Sequence, residues 1–152
     1  MLRITIKNPQ KRISVQPKRI KKAVLKALSQ EGAKKSGEIT ICFVNDSAIR
    51  RLNSRYLDKD NATDVIAFDI TEPFDALRYK SSRHNNIFAD IVVSTDRAWA
   101  NARLFKTSPA YEMYLYVIHG VLHLLGYDDK RERQRRIMHD KAISILNTLR
   151  IS

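Results

Sequence analysis

Apolar and polar residues alternate with period two over LRITIK (2–7), the mark of a strand with one buried face. Pro17 then opens a stretch in which Ile20, Val24, Leu25 and Leu28 recur at helical spacing, and Gly32 ends it. The β-branched and aromatic run EITICFV (38–44) predicts a second strand, and Asn45 caps a helix that runs to about Tyr56. LDKDNA (57–62) is polar and turn-like, whereas DVIAFDI (64–70) and ADIVVS (89–94) read as compact strands. Between those two strands, TEPFDALRYKSSRHNN (71–86) is irregular and reads as a loop or inserted excursion.

Beyond Ser94 the pattern turns helical. TDRAWANARLF (95–105) has an apolar face and a hydroxyl residue at its start, and a longer apolar helix follows with Ser108 as N-cap, Pro109 at its first position and Gly126 as its stop. A last helix, from about Arg131 to Leu149, offers Ile137, Ile143, Ile145, Leu146 and Leu149 to the core. Its arginines gather near the positive end of the helix dipole, a mild cost that a bound anion would offset. The order β, α, β, α, β, β, α, α, α predicts an α/β chain of α+β type: a single domain over 1–152, with a mixed four-stranded sheet packed by about five helices.

Charge narrows the partners. The chain has 28 Lys and Arg against 16 Asp and Glu, a formal net charge of +12, which predicts attraction to a polyanion, nucleic acid first and an anionic membrane surface second. The basic runs are KNPQKR (7–12), KRIKK (18–22) and KRERQRR (130–136), each of which also suits a solvated helix face or loop. No apolar run reaches the roughly 18 residues of a membrane span. The first residues lack a long apolar segment of the secretory kind, so the expected location is cytoplasmic. Cys42 is the one cysteine, so an ion site would use nitrogen and oxygen donors; Cys42 itself suits a strand core.

The candidate chemistry lies in HGVLHLLGYDD (119–129). Four helical residues rise by about 6 Å and turn about 40° past one full turn, so His119 and His123 share a helix face. Gly126 can take positive φ and turn the chain back toward that face, which brings Asp129 round as a third ligand, with Asp128 its close competitor. Two imidazoles, a carboxylate and an open position suit a catalytic divalent ion at the C-terminal end of the long central helix. His84 and His139 stand alone in the sequence and read as surface residues. The helical zinc proteases place a Glu after the first histidine, where this chain has Gly120, which argues against a protease. Two histidines and a carboxylate also occur in non-haem iron oxygenases, usually on strands rather than a helix.

These residues resemble a known family. HGVLHLLGYDD is similar to the signature HGxLHLxGYDH of the YbeY family of bacterial rRNA-maturation endoribonucleases. LNSRYLDKDNATDVIAFDI (52–70) resembles the family segment LNxxYRxKDxPTDVLSFP, and ADIVVSTDRAWANA (89–102) resembles GDIxISxDxAxxxA. The resemblance implies a metal-dependent hydrolase with one Zn2+ per chain, another divalent metal being the alternative. It implies cleavage of single-stranded RNA in maturation of the small-subunit rRNA 3′ end and in ribosome quality control. Its implied partners are ribosomal RNA and the ribosome or ribosomal proteins, without membrane association or DNA specificity.

The family's ligands fall on His119, His123 and Asp129, where Asp129 replaces a third histidine and lowers the net charge at the ion. Leu57 stands where the family has an arginine that meets RNA phosphate; Arg55 and Lys59 are the neighbouring candidates for RNA binding. Lys59, Thr63 and Asp64 match the family's KD and TD pairs and are the candidate catalytic-cleft residues, while Ala62 and Ala67 replace a proline and a serine. The competing functional class is a non-catalytic, RNA-binding ribosome-assembly factor with a structural metal.

Overall fold

A computed structural model of the chain describes residues 1–71 and 86–151. The strands are β1 (Leu2–Lys7), β2 (Ser36–Val44), β3 (Val65–Asp69) and β4 (Asn86–Ser94). The helices are α1 (Pro17–Gln30), α2 (Asp46–Leu57), α3 (Thr95–Phe105), α4 (Pro109–Leu124) and α5 (Glu132–Thr148). The strands form one sheet in the order β1-β2-β4-β3; β1, β2 and β4 run parallel, and β3 is antiparallel to β4 at the edge. Among the described residues the expected mixed sheet and five helices are present. Positions 72–84 and 85 of the irregular stretch, His84 among them, lie outside the described residues, whereas Asn86 already belongs to β4.

Strand periodicity divides the side chains between two layers. On one face Ile39, Ile41 and Phe43 of β2 join Ile87, Ala89, Ile91 and Val93 of β4 in the main core under α1, α4 and α5. On the other face Val44, Ile66 and Val92 pack with Ile49 of α2, and part-buried Cys42 lies against them. Among the described residues three side-chain caps form as their residue types dictate: Asn45, Ser94 and Ser108 accept from the backbone N–H of Ala48, Arg97 and Tyr111 at 2.8, 3.1 and 3.0 Å.

Helix α4 is the centre of the main core. Met113 to Ile118 and Gly120 to Leu122 are all buried, the pattern of a helix enclosed on nearly every side. It touches α1, α3, α5, β3 and β4. Helix α5 lies against it through Met138, Ala142, Ile145 and Leu146. Ile137, expected in the core, is instead 44% exposed. The row Met138, Ala142, Ile145 defines the buried stripe, and position 137 is rotated about 100° away from Met138 around the helix axis. Among the described residues, no helix is long and apolar enough to cross a membrane.

Gly120 sets how closely α4 lies on the sheet. A Cβ there would stand 2.7 Å from Cγ2 of Ile91 on β4. Gly120→Ala should therefore destabilise the fold by about 1–3 kcal/mol through overpacking, despite alanine's better helix propensity. Chemical denaturation measures this; a stabilised variant would show that the contact has slack.

Candidate metal centre and RNA cleft

The last two turns of α4 deliver both histidines to one cavity of about 460 Å³. Its wall also includes Thr63, Asp64, Asp129, Arg135, Arg136 and His139. The chain leaves α4 at Leu125, and Gly126 takes φ +104°, reversing direction so that the following residues come back beside the helix end. Tyr127 fastens this return. Its N–H donates to the Leu122 carbonyl at 3.1 Å, and its hydroxyl donates to Glu31 of α1, which also receives Lys141 Nζ of α5 at 3.3 Å. The loop that carries Asp129 is thus held by helices at both ends of the chain.

His123 is oriented by this return. Its Nδ1 lies 3.2 Å from the Tyr127 carbonyl, so an N–H on Nδ1 donates there and leaves the lone pair on Nε2. Nε2 faces Asp129 Oδ2 at 3.6 Å. Asp128 faces away from that role: its Oδ1 accepts from the Lys130 N–H at 3.0 Å in the turn before α5. His119, one turn earlier on α4, has its pKa lowered to about 4, first by burial and then by the neighbouring His139 and His123, with Asp129 opposing. Its imidazole is neutral at physiological pH.

The His123–Asp129 pair has the spacing of two ligands on one divalent ion. With bonds of about 2.0–2.2 Å and tetrahedral angles, two ligand atoms on one zinc stand about 3.3–3.6 Å apart, close to the His123–Asp129 separation of 3.6 Å. Among the described residues, no three His, Cys, Asp or Glu side chains already stand in an ion-holding arrangement. His119 lines the same wall.

Asp64 and Thr63 reach the cavity from the segment just before β3. Asp64 Oδ1 accepts from the Val65 N–H at 2.8 Å and from the Thr63 hydroxyl at 3.4 Å. Burial raises the Asp64 pKa, these hydrogen bonds work against that, and the charge of Asp129 adds to the rise. Arg55 and Lys59 do not line the cavity. Arg55 lies over the Tyr56 ring at 5.3 Å, and Lys59 is exposed where α2 ends, its N–H bonded to the Asn53 carbonyl.

Three residues outside the sequence-based site assignment line the cavity instead. His139, read as an isolated surface residue, is solvent-exposed but stands in the cavity wall with its ring centroid 5.7 Å from that of His119. Arg135 and Arg136, in the first turns of α5, form the cationic side of the cleft. Neither enters an ion pair among the described residues. The signal for the arginines was the run KRERQRR at a helix start; no sequence signal places α5 across α4.

A mixed α/β domain whose histidine- and carboxylate-lined cleft is edged with arginine has the chemistry of a hydrolase for phosphodiesters. The family profile described as Endoribonuclease YbeY matches residues 5–150. Relatives bearing that name include one from Finegoldia magna, 36% identical over 87% of this chain and 82% of its own. Another, from Desulforamulus reducens, is 34% identical over 98% of each chain. A protein from Thermotoga maritima with a known solution structure shares the fold at a TM-score of 0.60, with 23% identity, over 98% of this chain and 89% of its own. The chain belongs to the YbeY endoribonuclease family and is a hydrolase of the nuclease class, which sets aside the non-catalytic assembly factor.

The reversal after α4 can be tested directly. Gly126→Ala meets no atom within 4 Å, so its cost is the backbone strain of positive φ alone, about 1–3 kcal/mol. Unfolding by denaturant should show that loss, and Gly126→Asn should recover part of it because asparagine tolerates positive φ. Equal stability of all three would contradict the reversal.

Proposed function

We propose that this enzyme cleaves single-stranded ribosomal RNA, in maturation of the small-subunit rRNA 3′ end and in ribosome quality control, using one divalent ion, zinc first, held by His119, His123 and Asp129. It would act in the cytoplasm, on the ribosome or in contact with ribosomal proteins. The observation that carries this reading is the single cavity joining two histidines and a carboxylate to Arg135 and Arg136. Ion donors and phosphate-binding cations face the same space, as cleavage of a phosphodiester requires.

Each part of the chain has a distinct task. When bound, the ion supplies Lewis-acid polarisation of the phosphodiester and offsets charge that builds up during cleavage. The Tyr127 carbonyl fixes which nitrogen of His123 is available. Arg135 and Arg136 hold RNA phosphates, and the same anions relieve the crowding of cations at the start of α5. Asp64, anchored by the Val65 N–H and Thr63, fixes the wall facing the histidines. The net charge of +12 draws the polyanion to the whole surface and explains attraction without base selection.

Two measurements test this. His123→Ala should weaken zinc binding by at least about 100-fold, more than loss of an outer partner does, and should abolish cleavage of a single-stranded RNA; Asp128→Ala should spare both. An active His123→Ala protein with full metal content would refute the site. Arg135→Ala and Arg136→Ala should each weaken RNA binding and flatten the dependence of log affinity on log salt by roughly 0.7. Arg55→Ala should leave cleavage unaltered if the cleft alone grips the scissile region.

A further inference from the structure

One row of polar side chains interrupts the otherwise apolar α4: Glu112, Tyr116, His119 and His123, at i, i+4, i+7 and i+11. That spacing lines a single helix face. The histidine half of the row opens into the ion cavity. The other half opens into an adjoining cavity of about 370 Å³, which shares Asp64, His119 and His139 with the first. Its volume lies in the range of sites for small organic groups, about 300–1,000 Å³.

The floor of this second cavity is a buried carboxylate. Glu112 is 3% exposed. Thr107 Oγ1 donates to its Oε2 at 2.8 Å, and Tyr116 OH donates to its Oε1 at 3.3 Å while receiving Asn101 Nδ2 at 2.6 Å. No cation pairs with Glu112 among the described residues. Its place in the first turn of α4 favours negative charge but does not require burial. Each carboxylate oxygen offers two acceptor positions, so one on each oxygen is left for a ligand with N–H donors. The sides are apolar, from Leu115 and Ile143, and Tyr111 and Phe105 are aromatic. Phe105 is 61% exposed, a ring at the mouth of a cavity of the kind on which single-stranded nucleic acids stack their bases.

We propose that this cavity is a nucleobase subsite that receives the base beside the scissile phosphodiester and selects guanine. The proposal rests on the RNA-cleaving reading above. Guanine is the RNA base that offers two adjacent N–H donors, N1–H and the exocyclic amine, to one carboxylate. Uracil offers a single N–H between two carbonyl oxygens, which the carboxylate repels; adenine and cytosine present an amine beside a ring acceptor. The flat ring enters between the apolar walls and stacks at Phe105. The shared residues His119 and His139 keep the adjoining phosphate at the ion cavity.

Binding of GMP, AMP, CMP and UMP to the purified protein, by isothermal titration calorimetry, tests the subsite without relying on cleavage. The expected result is at least about tenfold tighter binding of GMP, the size of one good bidentate contact, with the preference lost in Glu112→Gln and in Ile143→Trp, whose indole fills the cavity. Equal affinities, no binding of GMP, or an unchanged preference in both variants overturns it. Should one variant fail to fold by circular dichroism, the other decides. Mapping cuts in a single-stranded RNA of mixed sequence should place guanine at one fixed position beside the break, and cuts without that bias also overturn the subsite. Selective GMP binding by a protein that cuts no RNA would instead refute the nuclease reading and leave base recognition standing.

Discussion

The close seating of α4 on the sheet is the contact on which the site depends. A helix buried on nearly all sides has its rotation fixed by packing, and here the contact between Gly120 and Ile91 fixes its height as well. Once rotation and height are set, the positions of Glu112, Tyr116, His119 and His123 follow, because all four project from one face. The apolar core therefore acts as the jig for the polar row. Burial free energy that stabilises the domain also holds the reactive side chains without a separate scaffold.

Other elements complete the cleft from different directions. The edge strand β3 begins at the cavity and the segment leading into it supplies Thr63 and Asp64, while the turn after Gly126 supplies Asp129. Helix α5 crosses α4 and brings arginine and His139 to the opposite wall. The Tyr127, Glu31 and Lys141 contacts couple this turn to α1 and α5, so the carboxylate does not hang on a free loop. The cavity's histidines His119 and His123 and Asp129 are thus carried by a buried helix and its braced exit, whereas Arg135 and Arg136 stand on an exposed helical surface. Long arginine side chains tolerate such placement because they need only reach a mobile backbone.

Much of this was legible in the sequence, for local reasons. Period-two runs, caps at Asn45 and Ser108, and the stop at Gly126 depend on neighbouring residues, and each was read correctly. That His119, His123 and Asp129 line one cavity is also a local matter, since they span one helix end and one turn. What failed was proximity between distant elements. His139 looked isolated because nothing near it in sequence reveals that α5 lies across α4. Arg55 and Lys59 looked promising because they flank Leu57, yet chain proximity did not bring them into the cavity. Ile137 was assigned inward because it is apolar, although the helical stripe of its neighbours already excluded it. Glu112 was a missed local signal: an acid four residues before Tyr116 in an apolar helix was readable from spacing alone.

Gly120 also restricts what this scaffold can become. A single substitution, Gly120→Glu, would write HExxH into the chain. The encoded carboxylate would nevertheless enter the interface between α4 and β4, where even a methyl group lies 2.7 Å from Ile91. A protease-like descendant would have to lift the helix and rebuild the strand beneath it before the new acid could help. One residue separates the two motifs, but the packed core stands between them.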